Sequence, residues 1–176
     1  FDCLVGSEMC IRDSFNVGDR VSHASAPISG YSEKQIMPEE KLVTVPEGIS
    51  DELASCILLK GITSEYLLHR SYAVRKGDKV LFHAAAGGVG QILCQWANAL
   101  DCEVIGTVGS KEKIETAKKN GCHHVINYTE ENFVESVEKI VGKNGIDVVY
   151  DGVGAKTFEG SIAVSYTHLT LPTNAC

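Results

Sequence analysis

From Lys79 onward, apolar positions alternate between two periods. Val80-Leu81-Phe82-His83 is a short apolar run suited to a buried strand, and Val89, Ile92, Leu93, Trp96, Ala97 and Leu100 follow at helical spacing. Val104-Ile105-Gly106-Thr107-Val108 is strand-like, and Lys111–Asn120 is helical, with Gly121 as a left-handed stop. Val125-Ile126 reads as a third strand. Phe133, Val137, Ile140 and Val141 mark one face of a third helix, and Val148-Val149-Tyr150 makes a fourth strand. Strands alternating with helices predict a parallel sheet with right-handed crossovers. Runs without polar alternation suit strands covered on both faces. The predicted fold class is α/β, the first part of a doubly wound parallel sheet.

The upstream stretch follows another pattern. Phe15–Pro46 reads as β-rich, with a turn at Val17-Gly18-Asp19 leading into Arg20-Val21 and a second strand starting at Gly30-Tyr31-Ser32-Glu33. Pro38 and Pro46 discourage helix there. Ser50 is a candidate N-cap, with Asp51 and Glu52 in the first turn of a helix through Leu59. Gly61 is expected to interrupt it, leaving Ile62–Arg70 as a second helical piece.

Composition narrows the function classes. The 176 residues are 44% hydrophobic and 22% charged, with a net charge of −7. No 18-residue apolar run suggests a membrane span. The charge has the wrong sign for nonspecific nucleic-acid binding, so no nucleic-acid or membrane partner is expected. Of seven cysteines, Cys3, Cys10 and Cys176 lie in the terminal stretches. The other four, Cys56, Cys94, Cys102 and Cys122, form no C-x-x-C motif, which points to neither a disulfide framework nor a zinc site.

The two ends are related to each other. Met9–Ser14 can be written as six codons whose reverse complement translates as Ala163-Val164-Ser165-Tyr166-Thr167-His168. Residues 1–14 and 163–176 therefore resemble translated sequencing-library adapters and are expected to stand outside the fold. The stretch between them is expected to be a fragment of a longer protein, inactive alone and prone to aggregate through an uncovered sheet edge.

The candidate chemistry begins where the first regular strand runs into Ala84-Ala85-Ala86-Gly87-Gly88-Val89-Gly90. Glycine at 87 and 88 lets the backbone approach a pyrophosphate, Gly90 allows close helix–strand packing, and the helix N-terminus offers free N–H groups. Ala85 replaces the first glycine of the G-x-G-x-x-G pattern. A structural glycine turn is the alternative. About 20 residues on, an NAD-type site needs a carboxylate for the ribose 2′-hydroxyl. Gly109-Ser110-Lys111-Glu112-Lys113 stands there instead, with no acid at 109 or 110. A hydroxyl and an ammonium suit a 2′-phosphate, so NADPH is expected over NADH, unless both lysines merely face solvent.

Several motifs now occur in one order: Gly18-Asp19-Arg20-Val21, Gly30-Tyr31-Ser32-Glu33, Pro46, Leu59-Lys60-Gly61-Ile62-Thr63, Phe82 to Gly90, Gly106-Thr107-Val108-Gly109 and Ile126-Asn127-Tyr128. That order resembles the zinc-independent quinone oxidoreductases (zeta-crystallin type) of the medium-chain dehydrogenase/reductase superfamily. The resemblance implies the end of a GroES-like β domain with a connecting helix over residues 15–60. It implies the first part of a Rossmann NADPH-binding domain over 61–162. It also implies quinones or electron-poor enones as acceptors, a homodimer at full length and a cytoplasmic location.

Cofactor contacts implied by the resemblance fall on Tyr66, Gly87, Gly88, Val89, Gly109, Ser110, Lys113, Tyr128 and Gly152. Tyr128 would flank the adenosine phosphate, or else be an ordinary exposed turn tyrosine. Tyr66 would pack near the nicotinamide, or else be a core tyrosine. His83, His123 and His124 read as structural histidines rather than acid–base groups or ligands. No catalytic residue is assigned, because the nicotinamide carries the hydride chemistry and a quinone needs no dedicated acid. Three functions stay open: a quinone reductase, an enoyl or alkenal reductase, and a non-catalytic dinucleotide-binding protein of crystallin type.

Overall fold

The computed structural model describes residues 15–24, 31–165 and 169–170. The chain divides into two compact units, Phe1–Leu59 and Lys60–Cys176.

In the first unit, strands β1 (Val21–Ser22) and β2 (Val43–Thr44) pair antiparallel. Tyr31-Ser32-Glu33 forms no strand, and Gly30 lies outside the described residues. The β content is thus thinner than the sequence suggests. Helix α1 (Asp51–Glu65) begins as expected, with Ser50 Oγ accepting from Leu53 N at 3.2 Å. The expected break at Gly61 does not occur. A mid-helix glycine costs roughly 1 kcal/mol against alanine, too little to stop a helix that continues on both sides. The winding changes later, at Tyr66–Ser71, which form a π-helical turn.

In the second unit, β3 (Lys79–Phe82), β4 (Glu103–Val108), β5 (His124–Asn127), β6 (Val148–Tyr150) and β7 (Leu169–Thr170) form one sheet in the order β5-β4-β3-β6-β7. All its pairings are parallel. Crossovers run through α2 (Gly88–Ala99), α3 (Glu112–Lys119), α4 (Phe133–Val141) and α5 (Phe158–Val164).

Strand pleating distributes the core between the two faces of the sheet. Val80, Phe82, Val104, Val108, Val148 and Tyr150 pack in one cluster with Leu93, Cys94 and Ala97 of α2. Leu81, Ile105 and Val149 pack in the other, with Val137 of α4 and Val164 of α5. The strands therefore lack polar alternation because both faces are dry. Gly121 (φ +91°) ends the turn after α3 as expected.

One boundary moves. Val164, assigned by its codons to the foreign tail, is fully buried at the end of α5, and Leu169–Thr170 pair with Val149–Tyr150. An apolar residue beside a sheet face will fill it whatever its origin. Residues 1–14, 166–168 and 171–176 of the adapter-like stretches lie outside the described residues.

Candidate functional site

In a parallel sheet, ligands gather beyond the carboxyl ends of the strands, where the order of connection reverses. That reversal falls between β3 and β6. The β3–α2 turn stands at this point. Ala84 enters it with φ +58°, a left-handed conformation unusual for a residue with a Cβ. Gly87 N–H donates to Ala84 O at 2.8 Å and Gln91 Nε2 to Ala86 O at 3.0 Å, which closes and braces the turn. Gly87 is the N-cap of α2 and supplies no capping side chain. The first N–H groups of the helix consequently have no acceptor from a cap.

Close approach explains the glycines. A Cβ at Gly90 would lie 2.6 Å from Ala85 O, and one at Gly87 3.0 Å from Ala84 O. At Gly88 it would meet the Lys60 side chain, 2.8 Å from Cε. Gly88 and Gly87 are exposed, as a backbone cradle for a ligand must be.

At the end of β4, Gly109 lies under the Tyr128 ring, where a Cβ would stand 2.6 Å from the phenol oxygen. Tyr128 is half-buried in this contact, so it is not a freely exposed turn tyrosine. Ser110 hydrogen-bonds Glu112, and that bond is the main reason the Glu112 carboxyl is held below its ordinary value of 4.5. Lys111 pairs with Glu130 at 3.1 Å. Lys113 is exposed and has no ion pair among the described residues. The two lysines thus differ, a distinction their spacing could not reveal.

Tyr66, at the start of the π-helical turn, is 51% exposed, which excludes a core tyrosine. Gly152 is exposed in the turn after β6. Together, the structure places Gly87, Gly88 and Val89 on the first turn, Gly109, Ser110, Lys113 and Tyr128 around the ends of β4 and β5, and Gly152 beyond β6.

Sequence reading missed the polar network beneath these loops. Asp151 accepts from Val153 N and Gly154 N at 2.9 Å, from Thr157 Oγ1 at 2.8 Å and from Ser161 Oγ at 2.9 Å. Burial pushes the Asp151 carboxyl up, but these hydrogen bonds together hold it below its ordinary value. Ser161 Oγ, spending its proton on Asp151, accepts from His83 Nε2 at 3.0 Å. His83 Nδ1 then accepts from Thr107 Oγ1 at 2.9 Å, which assigns the imidazole tautomer. His83 is 1% exposed, and burial lowers its pKa from 6.5 against the opposing Asp151 charge. It is a neutral structural histidine. An acid closing a strand and followed by glycines, as in Tyr150-Asp151-Gly152-Val153-Gly154, was the available signal.

Of the other histidines, His123 Nδ1 accepts from Val104 N at 3.0 Å, and His124 lies 3.3 Å from Glu103. Cys94, Cys102 and Cys122 are buried thiols. Among the described residues, no cluster of three His, Cys, Asp or Glu side chains could hold a metal ion. None of the described helices is long and apolar enough to cross a membrane.

A parallel sheet with a glycine turn at its reversal point defines the first part of a doubly wound domain of Rossmann type. Residues 88–171 match the family model described as zinc-binding dehydrogenase. The chain is 47% identical over 158 residues to a quinone oxidoreductase of Pseudomonas aeruginosa, covering 90% of this chain and 48% of the relative. It is 47% identical over 150 residues to a 2-haloacrylate reductase of a Burkholderia species, covering 84% and 45%. The crystal structure of Escherichia coli quinone oxidoreductase complexed with NADPH superposes with a TM-score of 0.83 at 43% identity, covering 88% of this chain and 47% of that one. In sequence and fold the chain is similar to quinone oxidoreductases of the medium-chain dehydrogenase/reductase superfamily. It spans about half the length of the curated relatives it matches.

Proposed function

We propose that this chain supplies the NADPH-binding half of a reductase that passes reducing equivalents from NADPH to a quinone. The observation that carries this reading is the β3–α2 turn, whose glycines lie where a Cβ would collide with neighbouring backbone or side chain and whose helix has no capping side chain. Bound NADPH would supply the hydride. On this reading, the backbone of Gly87, Gly88 and Val89 receives the pyrophosphate. Ser110 and Lys113 take the 2′-phosphate, and Tyr128 flanks the adenosine. Gly152 and Tyr66 serve the nicotinamide end. The expected homodimer and cytoplasmic location rest on the family resemblance.

A second reading has its own support. The 2-haloacrylate reductase is as similar to this chain as the quinone oxidoreductase is, and an acrylate is an electron-poor alkene. The acceptor is therefore a quinone or an activated alkene. NADPH oxidation by the protein that carries this chain, followed with a benzoquinone and with 2-chloroacrylate, tests both. Turnover of the quinone alone supports the first reading and turnover of the acrylate alone the second. Tight NADPH binding without either turnover would favour a non-catalytic binding protein. Failure to bind NADPH would overturn all three.

A further inference from the structure

Lys60 has a position that the glycine motif does not account for. Its side chain lies along the open face of Gly88. A Cβ on that glycine would be 2.8 Å from Lys60 Cε, 3.1 Å from Cδ and 3.6 Å from Nζ. Gly88 thus makes room for the lysine stem as well as for a ligand. The backbone holds Lys60 in place one turn before the end of α1, with its carbonyl accepting from Ser64 Oγ at 2.9 Å.

Electrostatics make the placement informative. The N-terminus of α2 carries the positive end of the helix dipole, which repels a neighbouring ammonium. Cations offset that repulsion by pairing with a carboxylate. Among the described residues, Lys60 has no ion pair and its ammonium makes no hydrogen bond. A cation and a set of free N–H groups meeting around one glycine fit an anion bound between them.

We propose that Lys60 is a pyrophosphate-binding residue that closes over the β3–α2 turn and contacts the phosphates from the side opposite the backbone N–H groups. This rests on the reading of that turn as the dinucleotide site. It adds a charged contact from outside the glycine motif and divides the work between two lysines. Lys60 serves the pyrophosphate, and Lys113 serves the 2′-phosphate. Lys60→Ala then weakens every ligand that contains the pyrophosphate and spares those that lack it.

The test uses the full-length protein that carries this chain, with NADPH binding read by nicotinamide fluorescence and adenosine 2′-monophosphate binding by NMR titration. Lys60→Ala is expected to weaken NADPH about tenfold, the size of one partly exposed charge-assisted contact. It should leave adenosine 2′-monophosphate unchanged, and Lys60→Arg should restore most of the NADPH affinity. Far-UV circular dichroism and thermal melting of each variant confirm that the fold is intact. The proposal is overturned if Lys60→Ala binds NADPH like wild type, or if it weakens both ligands equally. Full-length wild-type protein that binds neither ligand would instead sink the underlying dinucleotide reading.

Discussion

Gly109 and Tyr128 are in such close contact that a single methyl group on the glycine would stand 2.6 Å from the tyrosine hydroxyl. The first ends the strand next to the glycine turn, and the second follows the edge strand, so the contact holds the two strand ends together over the expected adenosine site. Gly109→Ala forces the ring aside. Because the obstacle is the tip of a side chain, stability is expected to fall by under about 1 kcal/mol. NADPH affinity should fall about tenfold. Fluorescence titration beside a urea melt separates the two, and unchanged affinity would remove Tyr128 from the site.

Gly90 and Gly61 give opposite expectations for the same substitution. A Cβ at Gly90 meets two backbone carbonyls, 2.6 and 2.7 Å away, which cannot move without opening the turn. Gly90→Ala should cost about 2–3 kcal/mol. Gly61 has nothing within 4 Å and sits inside α1. Gly61→Ala should stabilise by about 0.5–1 kcal/mol. Urea denaturation of both variants decides it, and equal effects would contradict the packing described.

His83 and Asp151 set the acid sensitivity. The folded pKa of His83 is lowered below 6.5, so the unfolded chain takes up a proton that the native state resists. Its effect is absent at higher pH and destabilises as pH falls below 6.5. Asp151 is also lowered, from 3.8, so its stabilisation is full above that value and is lost as pH falls through the folded pKa. Urea melts of His83→Gln should lose less stability than wild type between about pH 7 and pH 5. Asp151→Asn should remove the loss of stability at more acid pH that Asp151 itself contributes. By taking away the charge that favours a protonated imidazole, it should also lower the His83 pKa further. A His83→Gln profile parallel to that of wild type would refute the buried neutral imidazole.

Lys111 and Lys113 stand two positions apart in sequence but are not equivalent. With Lys111 paired to Glu130 at 3.1 Å, Lys113 is the better placed for a 2′-phosphate. Lys113→Ala should raise the NADPH dissociation constant about tenfold and leave NADH nearly unchanged. Lys111→Ala should do less. Equal losses for NADPH and NADH would mean that neither lysine reads the 2′ position.

Much of the Rossmann half was legible because each of its elements carries its own periodic signal. Val80 and Leu81 must both be apolar for a strand buried on both faces, and Val89 to Leu100 repeat on one helix face. Such signals are local, and they set the glycine turn and the Gly109–Lys113 stretch at the ends of strands without coordinates, whereas Tyr128 was singled out only by the family resemblance. The β-rich expectation upstream was weaker, because short irregular strands leave little periodic trace. Helix α5 was missed because the codon argument drew a boundary through its end, although Val164 completes an apolar cluster.

The amino-acid sequence by itself determined the order of strands and helices from β3 to β6, the parallel sheet and the position of the phosphate-type turn. These depend on spacing and on the steric freedom of glycine, both properties of neighbouring residues. Only the tertiary structure decided which side chains meet. It placed Lys60 on Gly88, Tyr128 on Gly109 and Glu130 on Lys111, and it joined His83 to Asp151 through Ser161. Those pairs lie from 19 to 68 positions apart, and sheet pairing and crossover packing bring them together. No local pattern encodes a contact of that kind, because its energy exists only once the sheet has formed.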